Sequence, residues 1–557
     1  MSEEANNGEA SNGEASNDAS SNDVSSNDVS SNDVSNNDVS NNDVSNNDVS
    51  NNGNVVQALP AHARRLHLLG VGGTGMGTLA CMLKQRGFEI SGSDTALYPP
   101  MSEVLEKARI PLYTPYAADN LKAAKPDVVV VGNVIRRENP EAAAVRALGL
   151  PQMSMPALLW DLFLRHKHVV CIAGTHGKTT TTLWFAHMLQ AAGLKPSWLA
   201  GGVGVADGKG YGLGEGPHFV IEGDEYDTAY FDKGPKFFHY RPKTLVLTSV
   251  EYDHADIYAD MQAYESVFRR LSQAMPEDGF MAVSARYPNA VQIARAAPCA
   301  MQTYAARPPT GTPPQGVEGT PPVGGHTPPA LLSTPPYSGA DYTAGALRFG
   351  PMGTTFEARR GGQALGEFVI PLSGYQNIEN ALAIVAAGQS LGLSVGALQG
   401  GLGSFAGVLR RQELRVVGGI VWVDDFAHHP TAVRETLEGL AARYPGCRLW
   451  ALFEPRSNTS RRKLHQRDYA EAFGAATLIR LKTPAPHDKI SAEEALDVRQ
   501  LVADLCAKGK DAQAMEKVEA LVEMLVAQAR PGDVVVCMSN GSFDGLYAKL
   551  LKSFGGK

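Results

Sequence analysis

Residues 173–182 run Ala-Gly-Thr-His-Gly-Lys-Thr-Thr-Thr-Thr, which sets a lysine and a hydroxyl at the start of a predicted helix. Glycines let backbone amides close around phosphate oxygens, a lysine placed like Lys178 reaches the β and γ oxygens, and a hydroxyl placed like that of Thr179 faces Mg²⁺. The spacing Gly-x-x-Gly-Lys-Thr is two residues shorter than the general P-loop pattern. Its place between a predicted strand (168–173) and a predicted helix (179–192) nevertheless marks a nucleotide loop, with ATP contacts from Gly174, Thr175, His176, Gly177, Lys178, Thr179 and Thr180.

Downstream, a predicted strand ends in Glu222-Gly223-Asp224-Glu225-Tyr226-Asp227, and a second ends in Glu251-Tyr252-Asp253-His254-Ala255-Asp256. Beside a P-loop, a carboxylate in such a place holds Mg²⁺ directly or through water. A solvated acidic strand end is the plainer reading of either run alone. An earlier turn, 70–77, reads Gly-Val-Gly-Gly-Thr-Gly-Met-Gly, with Asp94 at the end of the next predicted strand. It fits the backbone approach to a diphosphate at a helix N-terminus. By itself it suits a nicotinamide cofactor, a nucleotide sugar, or a tight turn with no ligand. Asn377 and Asn380 stand three residues apart on a predicted helix, able either to contact a purine or to cap the helix. Arg410-Arg411 follows a Gly-containing turn, where a guanidinium would meet the γ-phosphate or simply solvent.

These residues need rigid strand ends to hold them. Uninterrupted apolar runs separated by amphipathic stretches predict an α/β chain of parallel sheets with both faces covered, in three units. The length of 557 residues agrees, since one core rarely grows past about 250–300 residues. Residues 1–54 repeat a Ser/Asn-Asn-Asp-Val-Ser unit with 11 acids and no Lys or Arg, and are read as a disordered tail. That tail accounts for the net −8, because the remainder carries +3. Such a balance disfavours a nucleic-acid binder. Ten prolines in five Pro-Pro pairs make 307–340 a surface insertion. Six scattered cysteines without a CxxC pair argue against a zinc or disulfide framework, and no run is apolar for the roughly 20 residues that a membrane span requires. With a polar, acidic N-terminal stretch, this reads as a cytoplasmic protein.

In this order and spacing, the segments 72–76, 174–180, 222–225, Asp253-His254, Asn377/Asn380, Arg410-Arg411 and Asp424-Asp425-Phe426-Ala427-His428-His429-Pro430 resemble the Mur ligases, ATP-dependent amide-forming enzymes of peptidoglycan metabolism. The resemblance covers residues 65–545. It implies three domains: a Rossmann-like N-terminal domain (62–160), a P-loop ATPase-like central domain (161–372) and a Rossmann-like C-terminal domain (373–557). It further implies the branch acting on UDP-N-acetylmuramate. Glu225-Tyr226-Asp227, Lys236-Phe237-Phe238-His239-Tyr240 and Phe453-Glu454-Pro455-Arg456-Ser457-Asn458 are similar to the members that add a murein tripeptide, not L-alanine. The alanine-adding relatives usually carry Glu-Ser-Asp at the first of these positions.

By family position, Thr179, Glu222 and His254 are the metal set for Mg²⁺, and Lys178, Glu222, His254 and Arg411 are the catalytic set. Asn377 and Asn380 are implied to hold adenine, Asp425 the ribose, and Arg411 the γ-phosphate. Gly72, Gly73, Thr74, Gly75, Met76 and Asp94 are implied for the UDP-sugar, and His428, His429, Arg456 and Asn458 for the peptide. The expected substrates are ATP, UDP-N-acetylmuramate and L-alanyl-γ-D-glutamyl-meso-diaminopimelate, with no nucleic-acid or membrane partner and a monomer or weak homodimer. The rival readings are a UDP-N-acetylmuramate–L-alanine ligase and, from a different class, an NAD-dependent oxidoreductase.

Overall fold

A computed structural model describes residues 52–97, 101–255, 257–307, 339–485 and 490–555. The repeat up to residue 51, the Pro-rich stretch 308–338 and Asp256 lie outside the described residues. Three sheets organise the rest. The first has strands β1 (Arg65–Leu69), β2 (Glu89–Ser93), β3 (Leu112–Tyr113), β4 (Val128–Val131) and β5 (Gln152–Ser154), all parallel, in the order β3-β2-β1-β4-β5. Every residue of β4 is buried, as an all-valine strand covered on both faces should be. The strand order reverses at β1, so a crevice opens beyond its carboxyl end, where Gly70 begins the turn into the helix Thr74–Gln85.

The second sheet comprises β6 (His168–Ala173), β7 (Ser197–Leu199), β8 (Tyr211–Gly212), β9 (His218–Gly223), and then, past a separate hairpin β10 (Asp227–Ala229) and β11 (Asp232–Pro235), β12 (Thr244–Leu247), β13 (Phe280–Ser284), β14 (Ala300–Ala305), β15 (Tyr342–Gly350), β16 (Gly353–Arg360) and β17 (Gln363–Ile370). Its order is β17-β16-β15-β14-β13-β12-β6-β9-β7-β8. β6 thus lies between β9 and β12, and their three carboxyl ends carry the nucleotide loop, Glu222 and the 248–254 segment side by side. The third sheet has β18 (Glu413–Val417), β19 (Ile420–Asp425), β20 (Leu449–Phe453), β21 (Leu478–Lys482), β22 (Asp511–Met515) and β23 (Val534–Met538), ordered β18-β19-β23-β20-β21-β22.

Two features depart from the sequence reading. The sheets are not wholly parallel: β15, β16 and β17 run antiparallel, β8 pairs antiparallel with β7, and β18 pairs antiparallel with β19. Gly361-Gly362 and Gly418-Gly419 turn two of these hairpins with positive φ at both residues, the geometry of a two-residue hairpin turn. The helices Tyr375–Ser390 and Val395–Gly403 also bury Ile378, Leu382, Val385 and Leu398 in the core of the central sheet, with Val170, Val220 and Phe356. By packing, the C-terminal layer therefore begins near β18 and not at residue 373.

Candidate active site

Beyond β6 the chain turns at Gly174 (φ 126°) and Gly177 (φ 79°) into the helix Lys178–Ala191, and both angles lie where only glycine is comfortable. A Cβ on Gly177 would come 2.6 Å from the Asn380 Oδ1. The loop is held from β12's side: the Thr175 amide donates to the Ser249 carbonyl, the His176 amide to the Ser249 hydroxyl at 2.9 Å, and the Thr248 hydroxyl to the His176 carbonyl at 2.6 Å.

Lys178 leads into a buried polar cluster. Its ammonium donates to the Gly174 carbonyl at 2.6 Å and to both oxygens of Glu225, at 3.0 and 2.9 Å. His254 Nε2 lies 3.0 Å from Glu225 Oε1, and the Tyr264 hydroxyl donates to the same oxygen at 3.2 Å. Burial opposes ionisation of Glu225, but Lys178 and His254 outweigh it and hold its carboxyl below the usual range. Burial likewise opposes charge on His254, while Glu225 and Asp253 reverse the balance and raise it. Glu222 faces the other way: the Thr179 hydroxyl donates to one of its oxygens at 3.0 Å and the Gly201 amide to the other at 2.7 Å. Thr179 and Glu222 therefore present adjacent oxygens, the hard donors that Mg²⁺ takes, whereas His254 is turned onto Glu225. Asp224 pairs with Lys236 at 2.6 Å and is lowered to about 2, because the lysines Lys236 and Lys178 overcome the cost of its burial.

The helix Tyr375–Ser390 brings Asn377 and Asn380 to the loop. Asn377 donates to the Ser373 carbonyl at 2.8 Å, and Asn380 donates to Asn377 Oδ1 at 3.3 Å, so neither caps the helix start. Arg411 lies over the Phe426 ring, 4.5 Å from its centroid, and beside Asp425. Asp425 accepts the Gln412 and Ala427 amides at 2.8 and 2.7 Å. His428 and His429 follow, and His429 accepts the Thr431 amide to cap the helix Pro430–Arg443. In the N-terminal turn, Asp94 accepts the Gly72 amide at 2.8 Å and the Tyr116 hydroxyl at 3.1 Å, which ties the strand-end acid to the glycines.

One cavity of about 1030 Å³ gathers these groups. Gly72 to Met76, Asp94, Thr175 to Thr180, Glu222, His254, Asn377, Asn380, Arg411, Asp425, His428, His429, Arg456 and Asn458 all line it. Gly174 does not; its contribution is the backbone turn, since a Cβ there would press on Thr248 and Ser249. Sequence reasoning gave no role to Glu225, Lys236, Glu251 or Tyr264. Glu225 and Glu251 lie in the acid runs singled out above, but such a run beyond a strand end has no periodicity to say which member points inward; Lys236 lies in the Lys-Phe-Phe-His-Tyr segment. Tyr264 reaches in from the helix Met261–Gln273 and has no local signal.

Residues 65–167 match the Mur ligase family catalytic domain, 172–312 the Mur ligase middle domain, and 410–541 the Mur ligase glutamate ligase domain. The UDP-N-acetylmuramate–L-alanyl-γ-D-glutamyl-meso-2,6-diaminoheptandioate ligase of Escherichia coli K12 is 37% identical over 87% of this chain and 97% of its own length. Its counterpart from Haemophilus influenzae is 35% identical over 88% of this chain and 98% of its own. The crystal structure of a murein peptide ligase from Psychrobacter arcticus 273-4 aligns with a TM-score of 0.62 at 30% identity, covering 88% of this chain and 99% of that one. On sequence, architecture and the convergence of these segments on one cavity, the chain belongs to the Mur ligase family.

Proposed function

We propose that this enzyme joins UDP-N-acetylmuramate to L-alanyl-γ-D-glutamyl-meso-diaminopimelate, cleaving ATP to ADP and phosphate, as part of peptidoglycan recycling. The observation that carries the reading is the single cavity onto which the diphosphate-type turn, the nucleotide loop and the C-terminal histidines all open. An ATP-dependent ligase has to bring a sugar carboxylate, a γ-phosphate and an amine together in one such place.

A carboxylate is a poor acyl donor. In this reading the lactyl carboxylate attacks the γ-phosphate, ADP leaves, and the acyl phosphate is then attacked by the peptide's amine with loss of phosphate. The first step brings anions together, so cations must be fixed before it begins. Lys178 and Arg411 are those groups, and the bond from Lys178 to Glu225 holds the ammonium at the loop until ATP takes it over. Thr179 and Glu222 would hold Mg²⁺, with His254 released from Glu225 to complete the set, and the ion would supply charge neutralisation for the transferred phosphoryl group. Asn377 and Asn380 hold adenine and Asp425 the ribose. Gly72 to Met76 and Asp94 take the UDP-sugar, while His428, His429, Arg456 and Asn458 face the peptide. The protein works in the cytoplasm, where ATP and both substrates are available.

The tripeptide reading is favoured over the L-alanine one by what surrounds the metal and phosphate groups. Tyr226, where the alanine-adding relatives usually carry serine, packs on His254 with ring centroids 4.2 Å apart. Lys236, from the Lys-Phe-Phe-His-Tyr segment, reaches Asp224 at the same wall. The test is ADP release with UDP-N-acetylmuramate and a panel of L-alanine, dipeptide and tripeptides. Full turnover on L-alanine with none on tripeptide would overturn the reading. The nicotinamide reading leaves the nucleotide loop and its acids unused.

A further inference from the structure

The helix Pro430–Arg443 presents two opposite faces. Val433, Leu437 and Leu440 lie on one and enter the core of the third sheet. Thr431, Glu435, Gly439 and Arg443 recur every four residues on the other and meet the central layer. There the Thr431 hydroxyl donates to Glu251 Oε1 at 3.0 Å, and Arg443 donates to the Ser373 hydroxyl at 3.1 Å and the Pro371 carbonyl at 3.3 Å. A Cβ on Gly439 would come 3.0 Å from the Gly374 Cα, so the two backbones meet directly. Glu435 sits in the middle of this seam. Its Oε1 accepts from Arg286 at 2.5 Å and also from Arg307, which reaches Glu438 at 3.3 Å. A seam made chiefly of charges and a glycine joins layers that bury their apolar faces in their own sheets, and such a seam can part with both layers intact. Two details favour its release. Desolvation of a buried pair offsets much of its attraction, and here Glu435 Oε2 is buried without a hydrogen-bond partner among the described residues. Glu379, from the central-layer helix Tyr375–Ser390, lines one small pocket with Arg286 and Glu435. Burial raises its carboxyl against the pull of Arg286 and Arg307, so both arginines keep a counter-charge in their own layer when Glu435 withdraws.

We propose that Arg286 and Arg307 form with Glu435 an ionic clasp that holds the C-terminal layer against the nucleotide loop, which makes Glu435 a positioning residue for the groups at the head of its helix. His429 caps that helix, and its ring lies 4.8 Å from that of His176 in the loop. Asp425 and His428 stand just before it and line the same cavity as Lys178 and Thr179. With the clasp made, these groups face the nucleotide loop; when it parts, they withdraw together with the helix. A pair that only stabilised the fold could stand within either layer, whereas every charge of this clasp faces its partner across the boundary.

The test uses the full chain without ligands, so it stands apart from the ligase reading. Spin labels on Cys506, exposed in the C-terminal layer, and on Ala364→Cys, at an exposed position of β17, report the distance between layers, with the half-buried Cys299 and Cys447 changed to serine. Glu435→Gln and Arg286→Gln should each shift the population to longer distances. The double variant should go no further than Glu435→Gln alone, because that change already breaks the shared contact. Lys549→Gln, which loses a surface pair with Glu519 inside the C-terminal layer, should leave the distance as it was. If the buried variants do not fold, Arg307→Gln on the more exposed half of the clasp should give the same shift, and an unchanged distance there overturns the proposal. On the ligase reading, Glu435→Gln should also lower kcat about tenfold or more while UDP-N-acetylmuramate affinity, set by the N-terminal turn, stays unchanged. If the labels move but even the unaltered protein releases no ADP, the clasp stands and the ligase reading falls. The clasp is overturned if folded Glu435→Gln keeps the original distance, if the two single shifts simply add in the double variant, or if Lys549→Gln moves the labels equally.

Discussion

Replacing Lys178 by methionine separates its role in chemistry from its role in folding, because its partner Glu225 is almost wholly buried. The Glu225 side chain is 1% exposed and that of Lys178 13%, and the ammonium bonds both carboxylate oxygens. Removing one member of a buried pair costs about 3–5 kcal/mol. Glu225 would keep His254 and the Tyr264 hydroxyl, which argues for the lower end, about 3 kcal/mol. In the reaction, a fixed donor aimed at developing charge is worth about 2.7–4 kcal/mol, or 10²–10³ in rate. Lys178→Met should therefore lower the thermal midpoint clearly and cut ADP release by at least about a hundredfold. Glu225→Gln removes the buried anion and keeps an acceptor for the ammonium. The double variant Lys178→Met/Glu225→Gln should regain most of the lost stability and none of the activity. Thermal melts and ADP release on the four proteins measure both. A double variant no more stable than Lys178→Met, or turnover within tenfold of the unaltered protein in Lys178→Met, would refute the argument.

Three further expectations follow from contacts. Gly177→Ala adds a Cβ 2.6 Å from Asn380 Oδ1 at a φ of 79°, a cost of about 1–2 kcal/mol for the backbone alone; the KM for ATP should rise about tenfold or more, and an unchanged KM would contradict the loop's role. Gly72→Ala sets a Cβ 2.8 Å from Asp94 Oδ2, so UDP-N-acetylmuramate affinity should fall about tenfold while nucleotide binding, read by a fluorescent ATP analogue, stays as it was. Asp424 is raised to about 6 by burial, against the pull of Arg410. A carboxyl with a raised folded pKa destabilises once it ionises, so its penalty is absent below pH 4, grows between pH 4 and 6, and is full above pH 6. Asp424→Asn should accordingly raise the melting temperature at pH 8, by the equivalent of at most about 3 kcal/mol, and by about half of that at pH 5; equal gains at both pH values would show that ionisation is not the cause.

That these residues line one cavity was legible because the motifs that mark phosphate loops are local in sequence. Gly177-Lys178-Thr179 needs only a strand before it and a helix after it, and β6 and the helix Lys178–Ala191 supply them. Asp425 follows the same logic at the end of β19. What escaped is long-range. Glu225 meets His254 across 29 positions and Tyr264 across 39, pairings that no spacing rule reaches. The antiparallel strands escaped for another reason: β16 alternates buried and half-buried residues, so it lacks the continuous apolar run that marks a covered parallel strand. Its Gly361-Gly362 turn was the available signal. Sequence order places the helices after residue 373 next to the C-terminal unit, while their apolar faces fit the sheet behind them.

In the proposed ligase reading, the segment 408–412 would let groups on separate layers act on one phosphate. Its first part is tied to the central layer, with the Leu409 amide donating to the Val203 carbonyl at 2.9 Å. Its second part is tied to the C-terminal layer: Arg410 donates to the Ser539 carbonyl at 2.7 Å, and the Gln412 amide donates to Asp425. Arg410 and Gln412 both have positive φ (60° and 51°), an unfavourable backbone for side-chain-bearing residues that persists only where surrounding bonds over-determine it. Arg411 sits between these two strained residues, stacked on Phe426 and beside Asp425. Rotation of the C-terminal layer about this joint would therefore carry Arg411, Asp425 and the two histidines together, while Lys178, Thr179 and Glu222 stay with the central sheet. In that reading, a joint of this kind would assemble the cationic set only when the layers close, the moment at which an acyl phosphate would have to be shielded from water.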